Sequence, residues 1–250
     1  MIYGLYHSAA GMLTNEYRQS VFANNIANAD TVGFKRDMAT FAERTPAWAT
    51  GEREGPSAAS LAGLSGGMWL GATTTDHTEA AKTKTGNWHD VALEGPGFLA
   101  VQVDGQRLFT RDGRLMMDAD GNLVAVSDGS PVLGRGGMPI RLNPRAGQTS
   151  IDSDGRISQD GGVVAELDVV DFANYEALRK VGAARFAAAE DEALPAMALV
   201  RSGYVEQSGA QPLTELVSMI EASRAYQINA RMISLQDAGV GKLISTLLKD

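Results

Sequence analysis

The chain has 250 residues, of which 44% are apolar and 21% charged, with a formal net charge of -8. That length is enough for a real hydrophobic core, and the acidic balance disfavours a general nucleic-acid binder or a polybasic membrane binder. Cysteine is absent, which removes disulfides, thiolate metal sites and cysteine nucleophiles without fixing a compartment.

The opening MIYGLYHSAAGMLTNEYRQ has no basic start, and polar residues interrupt its apolar stretch, so it reads as a poor secretory signal. No run of about 18 apolar residues marks a membrane span, so direct membrane insertion is not expected. From Tyr3 to Asn28 there is no proline. Leu5, Ala9 and Met12, flanked by Tyr6, Ala10, Leu13, Tyr17 and Val21, recur at the three-and-four spacing of an amphipathic helix. Asn24, Asn25 and Asn28 crowd the end of this helix, shortly before Gly33 and Phe34. Asparagine is a mediocre helix residue because its amide competes for nearby backbone groups. End-capping accounts for only part of the cluster. A polar amide at a packed helix position costs stability but fixes register, so at least one of the three is expected to bond across helices or chains.

Residues 45–84 contain Pro46, Pro56, the stretch GPSAASLAGLSGG and the run Thr73 to Thr75, with no sustained period. They read as a linker or extended arm that either lies along other chains or is mobile, because a long structureless loop is unusual inside a compact domain. Asp-Gly pairs then recur at 104–105, 112–113, 120–121 and 128–129, separated by the short apolar pieces FLAVQV, RLFT, RLMM and LVAV. Asp-Gly supplies the positive φ angles of tight hairpins, so this cadence predicts an antiparallel meander. Further pairs at 154–155 and 160–161 extend the β region to about residue 186, as a small sandwich or barrel.

Pro212 suits the first turn of a helix. From Leu213 to about Leu248 no further proline occurs, and Leu216, Met219, Tyr226, Ala230, Ile233, Val240, Ile244 and Leu247 keep a heptad-like spacing. A second row, formed by Leu213, Val217, Ile220, Ile228, Leu235 and Leu243, reads as lying beside the first. The N-terminal helix is too short to cover both rows, so neighbouring chains are the expected source of further surface. The predicted fold is α+β: long N- and C-terminal helices in a coiled-coil-like layer, with a central all-β antiparallel domain. Its divisions are 1–44 (N-terminal helix and turn), 45–84 (arm), 85–200 (β domain) and 201–250 (C-terminal helix).

Motifs for catalysis are weak. Gly63-Leu64-Ser65-Gly66-Gly67 matches the G-x-S-x-G pattern of a nucleophile elbow, but the strand before the serine and the helix after it are missing. His7, His77 and His89 have no ligand spacing and read as solvated or turn residues. The segment DADGN (residues 118–122) starts like a calcium loop, yet its glycine is misplaced and position 12 is Gly129 instead of glutamate, so it reads as a hairpin turn. Gly134-Arg135-Gly136-Gly137 lacks phosphate-loop spacing. Neither a cofactor nor a metal site is expected.

Three blocks carry a family resemblance: GLYHSAAGM…ANNIANADTVGFKRD, VALEGPGFLAVQ…FTRDGRLMMDADGNLV and SGYVEQSGAQPLTELVSMIEASRAYQINARMIS. Together they resemble the axial proteins of the bacterial flagellum, the rod and hook subunits. Hook subunits of that family usually carry an extra outer domain for which this chain has no room, so a rod subunit fits better. The start MIYGLY and the wording GFLAVQ lean towards the proximal rod over the distal. A hook or hook-rod junction subunit, and a secreted serine hydrolase using Ser65, are the alternatives. One departure is Gly209, in GYVEQSG, where relatives commonly have asparagine.

The resemblance implies a non-enzymatic subunit, exported without a cleaved signal through the flagellar type III apparatus. It further implies assembly with itself and other rod subunits into a hollow helical drive shaft, located in the basal body and crossing the periplasmic space. The expected assembly residues are Leu5, Ala9, Met12, Asn24, Asn25, Asn28, Gly33, Phe34, Leu216, Met219, Ile220, Tyr226, Ile233, Val240, Ile244 and Leu247.

Overall fold

A computed structural model describes residues 2–43, 45, 67–147, 149–188 and 193–247. The chain divides into two compact units, one formed by residues 1–26, 37–74 and 212–250, the other by residues 27–36 and 75–211. The fold is mixed α and β, with a β-rich antiparallel unit and a long helix at each end of the chain.

The first unit holds both long helices, α1 (Ile2–Ala27) and α2 (Pro212–Leu247), with the paired strands β1 (Asp37–Glu43) and β2 (Met68–Thr75). Proline at the first position of α2 costs nothing there, because that N–H has no partner within the helix. The helices run antiparallel with a seven-residue step. A Cβ on Gly4 would come within 2.8 Å of the Gln236 amide, one on Gly11 within 2.9 Å of the Asn229 amide, and Asn25 bonds Glu215. The same register puts Arg18 opposite Ala222, which is fully buried.

The strands of the second unit are β3 (Lys82–Lys84), β4 (Val91–Glu94), β5 (Phe98–Val103), β6 (Gln106–Thr110), β7 (Leu115–Met117) and β8 (Leu123–Ala125). They continue as β9 (Thr149–Ile151), β10 (Arg156–Gln159), β11 (Gly162–Glu166), β12 (Val169–Phe172), β13 (Arg179–Lys180) and β14 (Arg185–Ala187). The last are β15 (Ala193–Pro195), β16 (Leu199–Ser202) and β17 (Tyr204–Glu206). A six-stranded sheet has the order β13-β14-β6-β5-β12-β15, a three-stranded sheet the order β11-β10-β9, and β16–β4, β17–β3 and β7–β8 form pairs. Strand β5 explains why its sequence reads as a continuous apolar run. Leu99 and Val101 enter one core cluster with Leu115, Leu123 and Ile157, whereas Phe98 and Ala100 enter the other with Phe109, Phe172 and Phe186. A strand buried on both faces has no polar side to alternate with.

Most of the Asp-Gly cadence makes hairpins. Asp104 and Gly105 have φ of 50° and 76° and join β5 to β6, and Asp160 and Gly161 do the same between β10 and β11. Asp112-Gly113 differs from the expectation. Gly113 packs so closely on the Val91 carbonyl that a Cβ would lie 1.7 Å from that oxygen, and the strands on either side, β6 and β7, belong to different sheets. Tertiary contact, not turn geometry, requires that glycine.

The stretch taken as an arm is strand in its second half, where Thr73 to Thr75 end β2 and Lys82–Lys84 pair with β17. Threonine is β-branched and suits a strand even without alternation. Residues 46–66, including Ser65 and most of the Gly/Ala-rich segment, lie outside the described residues. The β region extends past residue 186 to Glu206.

Candidate assembly surface

In the helical unit the buried side chains are mostly polar. Ser8, Thr14, Asn15, Asn25 and Glu215 are buried there, against only Val21 and Ala222 among the described apolar residues. Glycines and short polar groups let two helix backbones approach closely, and the polar groups bond locally: Asn15 Nδ2 donates to the Gly11 carbonyl at 2.7 Å. Asn25, 1% exposed, has its whole amide engaged. Its Nδ2 donates to the Asp37 carbonyl at 2.9 Å and to Glu215 Oε2 at 3.1 Å, while its Oδ1 accepts from the Asp37 N–H at 2.9 Å. The asparagine cluster therefore does contain an inter-helix amide bond. Asn24, on the exposed side, donates to Asp37 Oδ2.

Apolar residues of the same unit face outward. Leu213, Leu216, Val217, Ile220, Ile228, Met232, Leu235, Leu243 and Ile244 of α2 are all exposed, as are Leu5, Tyr6 and Leu13 of α1. At about 100° per residue, Leu213, Val217, Ile220, Ile228 and Leu235 centre about 150° around α2 from Glu215, Ala222, Asn229 and Gln236. Apart from Leu243, about 50° from that face, the second apolar row thus lies nearly opposite the face that α1 covers, and not beside the first row. Among the other expected assembly residues, Ala9, Met12, Met219, Tyr226 and Ile233 are half-buried and Val240 is exposed. The Leu247 side chain lies outside the described residues. Residues Asn28, Gly33 and Phe34 belong to the β unit, where Gly33 and Phe34 are buried.

Gly33 has φ of 67°, and a Cβ there would lie 2.3 Å from the Arg111 carbonyl carbon, so only glycine fits. Its N–H donates to the Glu206 carbonyl at 2.9 Å, the Gly209 N–H to the Phe34 carbonyl at 2.8 Å, and Ser208 Oγ to the Asn28 carbonyl at 2.9 Å. Gly209, where relatives commonly carry asparagine, thus joins this docking through its backbone. The next residue carries a charge into the interior. Lys35 Nζ, 1% exposed, lies 2.7 Å from Glu206 Oε1 and also donates to the Thr78 carbonyl at 2.7 Å. Glu206 Oε1 accepts from the Ala80 N–H at 2.9 Å as well, and Oε2 from Arg111 Nη1 at 3.2 Å. Burial pulls Lys35 below its ordinary lysine value, and Glu206 opposes that pull. A lone buried cation would cost several kcal/mol, so the pairing is what permits the position.

Sequence reasoning missed this cluster, and it misjudged His77. The His77 ring packs against Phe98, Tyr175 and Phe186 instead of water, and burial, with Lys35, Lys180 and Arg111 nearby, pushes its pKa down to about 4. His89 stacks on Trp88. In the DADGN segment, Asp118 Oδ1 accepts from the Asp120 and Asn122 N–H groups, the bonding of a turn. Among the described residues no group of histidines and carboxylates is placed to hold a metal ion. Among the described residues no helix is long and apolar enough to cross a membrane.

Residues 5–35 match the family described as Flagella basal body rod protein, residues 92–159 the Flagellar hook protein FlgE/F/G D1 domain, and residues 201–246 the Flagellar basal body rod FlgEFG protein C-terminal. The flagellar basal-body rod protein FlgG of Bacillus subtilis is 30% identical over 98% of this chain and 99% of its own length. The chain belongs to the flagellar basal-body rod protein family. FlgG of Buchnera aphidicola from Schizaphis graminum is 31% identical over 97% of the chain and 99% of its own length, and FlgF of Caulobacter vibrioides 32% over 92% and 91%. Rod-family proteins are structural and not enzymes, which sets aside the hydrolase reading of Ser65. Each of the three matched segments of this rod subunit supplies one member of the buried cluster: Lys35, Arg111 and Glu206 respectively.

Proposed function

We propose that this structural rod subunit polymerises with itself and other rod subunits into a hollow helical shaft that transmits torque and passes exported subunits. The observation that carries the reading is the inverted helix pair, with polar groups between α1 and α2 and leucines and isoleucines outside. Each such side chain contributes about 1.5–3 kcal/mol when fully buried, so stacking helix pairs into a coiled-coil-like layer is strongly favoured. The seven-residue antiparallel register supports that layer. The subunit leaves the cell through the flagellar export apparatus without a cleaved peptide and takes its place in the basal body, across the periplasmic space. The sequence wording favours the proximal part of the rod.

Imaging of isolated basal bodies carrying a tagged chain tests this directly. Label confined to the proximal rod is the expected result; label in the distal rod moves the subunit along the shaft, and label in the hook or its junction overturns the rod placement.

A further inference from the structure

We infer that residues 203–209 are an internal keystone: the segment after α1 and the segment after β2 both take their folded positions only once this late stretch of chain is in place. The inference rests on who holds whom within the β unit, and does not depend on where in the flagellum the subunit sits.

The segment after α1 bonds to the keystone at both its start and its middle, its other long-range bonds running from Lys35 and Arg36 to Asp76, Thr78 and Lys180. Gly33 donates to the Glu206 carbonyl, Phe34 accepts from Gly209, Asn28 accepts from Ser208, and the Lys35 ammonium meets the Glu206 carboxylate. The segment after β2 depends on the same residues. Strand β3 pairs with β17 in the register Lys82↔Glu206, Thr83↔Val205 and Lys84↔Tyr204, the Gln207 N–H donates to the Ala81 carbonyl at 2.8 Å, and Ala80 donates to Glu206 Oε1. The Thr85 and Gly86 N–H groups both donate to the Gly203 carbonyl.

Charge makes the dependence sharp. Without Glu206, Lys35 and Arg111 would be two cations in a buried site with only the exposed Glu79 carboxylate nearby, so the early segment is disfavoured from docking first. Residues 33–35 precede Glu206 by about 170 positions, and every residue of the two apolar clusters lies before the keystone. The β core can close while the roots of the helical unit remain loose.

The test is hydrogen exchange read by mass spectrometry on the full chain. Glu206→Gln should speed exchange at residues 31–36 and 78–86 about tenfold or more, the loss expected for charge-assisted bonds, and leave residues 98–110 of β5 and β6 protected as before. Unchanged exchange at both outer segments overturns the inference, and so does an equal rise at 98–110, which would make Glu206 an ordinary core residue. If Glu206→Gln does not accumulate, Lys35→Met serves in its place. It keeps Glu206 bonded to Arg111 and Ala80, so exchange should rise at 31–36 and beside Thr78, whose carbonyl also loses the Lys35 ammonium, and not at 80–86; a rise at 80–86 or at 98–110 overturns the inference.

Discussion

The two units solve the problem of burial in opposite ways. In the β unit, Phe98, Phe109, Leu99 and Leu123 are almost wholly enclosed, and its buried charges bond to one another. In the helical unit the enclosed groups are mostly amides, hydroxyls and a carboxylate, and most of the leucines and isoleucines of α2 are outside. A fold that hides its apolar residues is complete as a single chain, whereas one that displays them along a 36-residue helix leaves apolar surface to be covered. Under the proposed function, the difference separates the part of the subunit that stabilises itself from the part that assembles.

The sharpest way to break that division is Ile220→Asp together with Ile228→Asp. Removing two such side chains from an interface forfeits about 3–6 kcal/mol, so association measured by sedimentation should weaken by about two to four orders of magnitude. The denaturant midpoint of the β unit should not move; a parallel fall would show that the units are not independent. The converse change, Phe109→Ala, should cost the β unit about 3–5 kcal/mol in urea unfolding and leave association of the surviving folded chains unaltered. Asn25→Ala acts inside the helical unit, where it strips partners from Asp37 and Glu215. A cost of about 1–3 kcal/mol is expected, seen as faster exchange at residues 37–39 with no change at 98–110.

The smallest effect concerns pH. His77 has a folded pKa of about 4, below its ordinary 6.5, so between these values the unfolded chain binds the extra proton. The stability of the β unit should be fully present above about pH 6.5 and decline as pH falls towards 4. His77→Phe, which keeps the ring contacts, should flatten that slope in urea melts at pH 7 and pH 5, and helix association should follow neither change.

Much of this was legible. Proline at 212 and the three-and-four spacing located both helices, and Asp-Gly at 104–105 and 160–161 located hairpins, because these signals act over a few residues. The Asn25 amide bond was foreseen in kind but not in partner, since Glu215 is 190 positions away. Lys35, Arg111 and Glu206 carry no local signal: nothing nearby in the chain distinguishes a buried ion from a solvated one, and the contacts that bury them span 95 and 171 positions. Gly113 shows the same limit, a turn residue by its neighbours and a packing residue by the Val91 carbonyl above it.

The two main-chain bonds that Asn25 gives Asp37 make the side chain behave as one rung of a strand, so the last turn of α1 already presents a ladder position to β1. An amide does not titrate, and neither does the peptide group that it pairs with. In acid the corner between helix and strand keeps these bonds after His77 has become charged. The corner at the end of α1 is therefore held by bonds that the acid which charges His77 leaves intact.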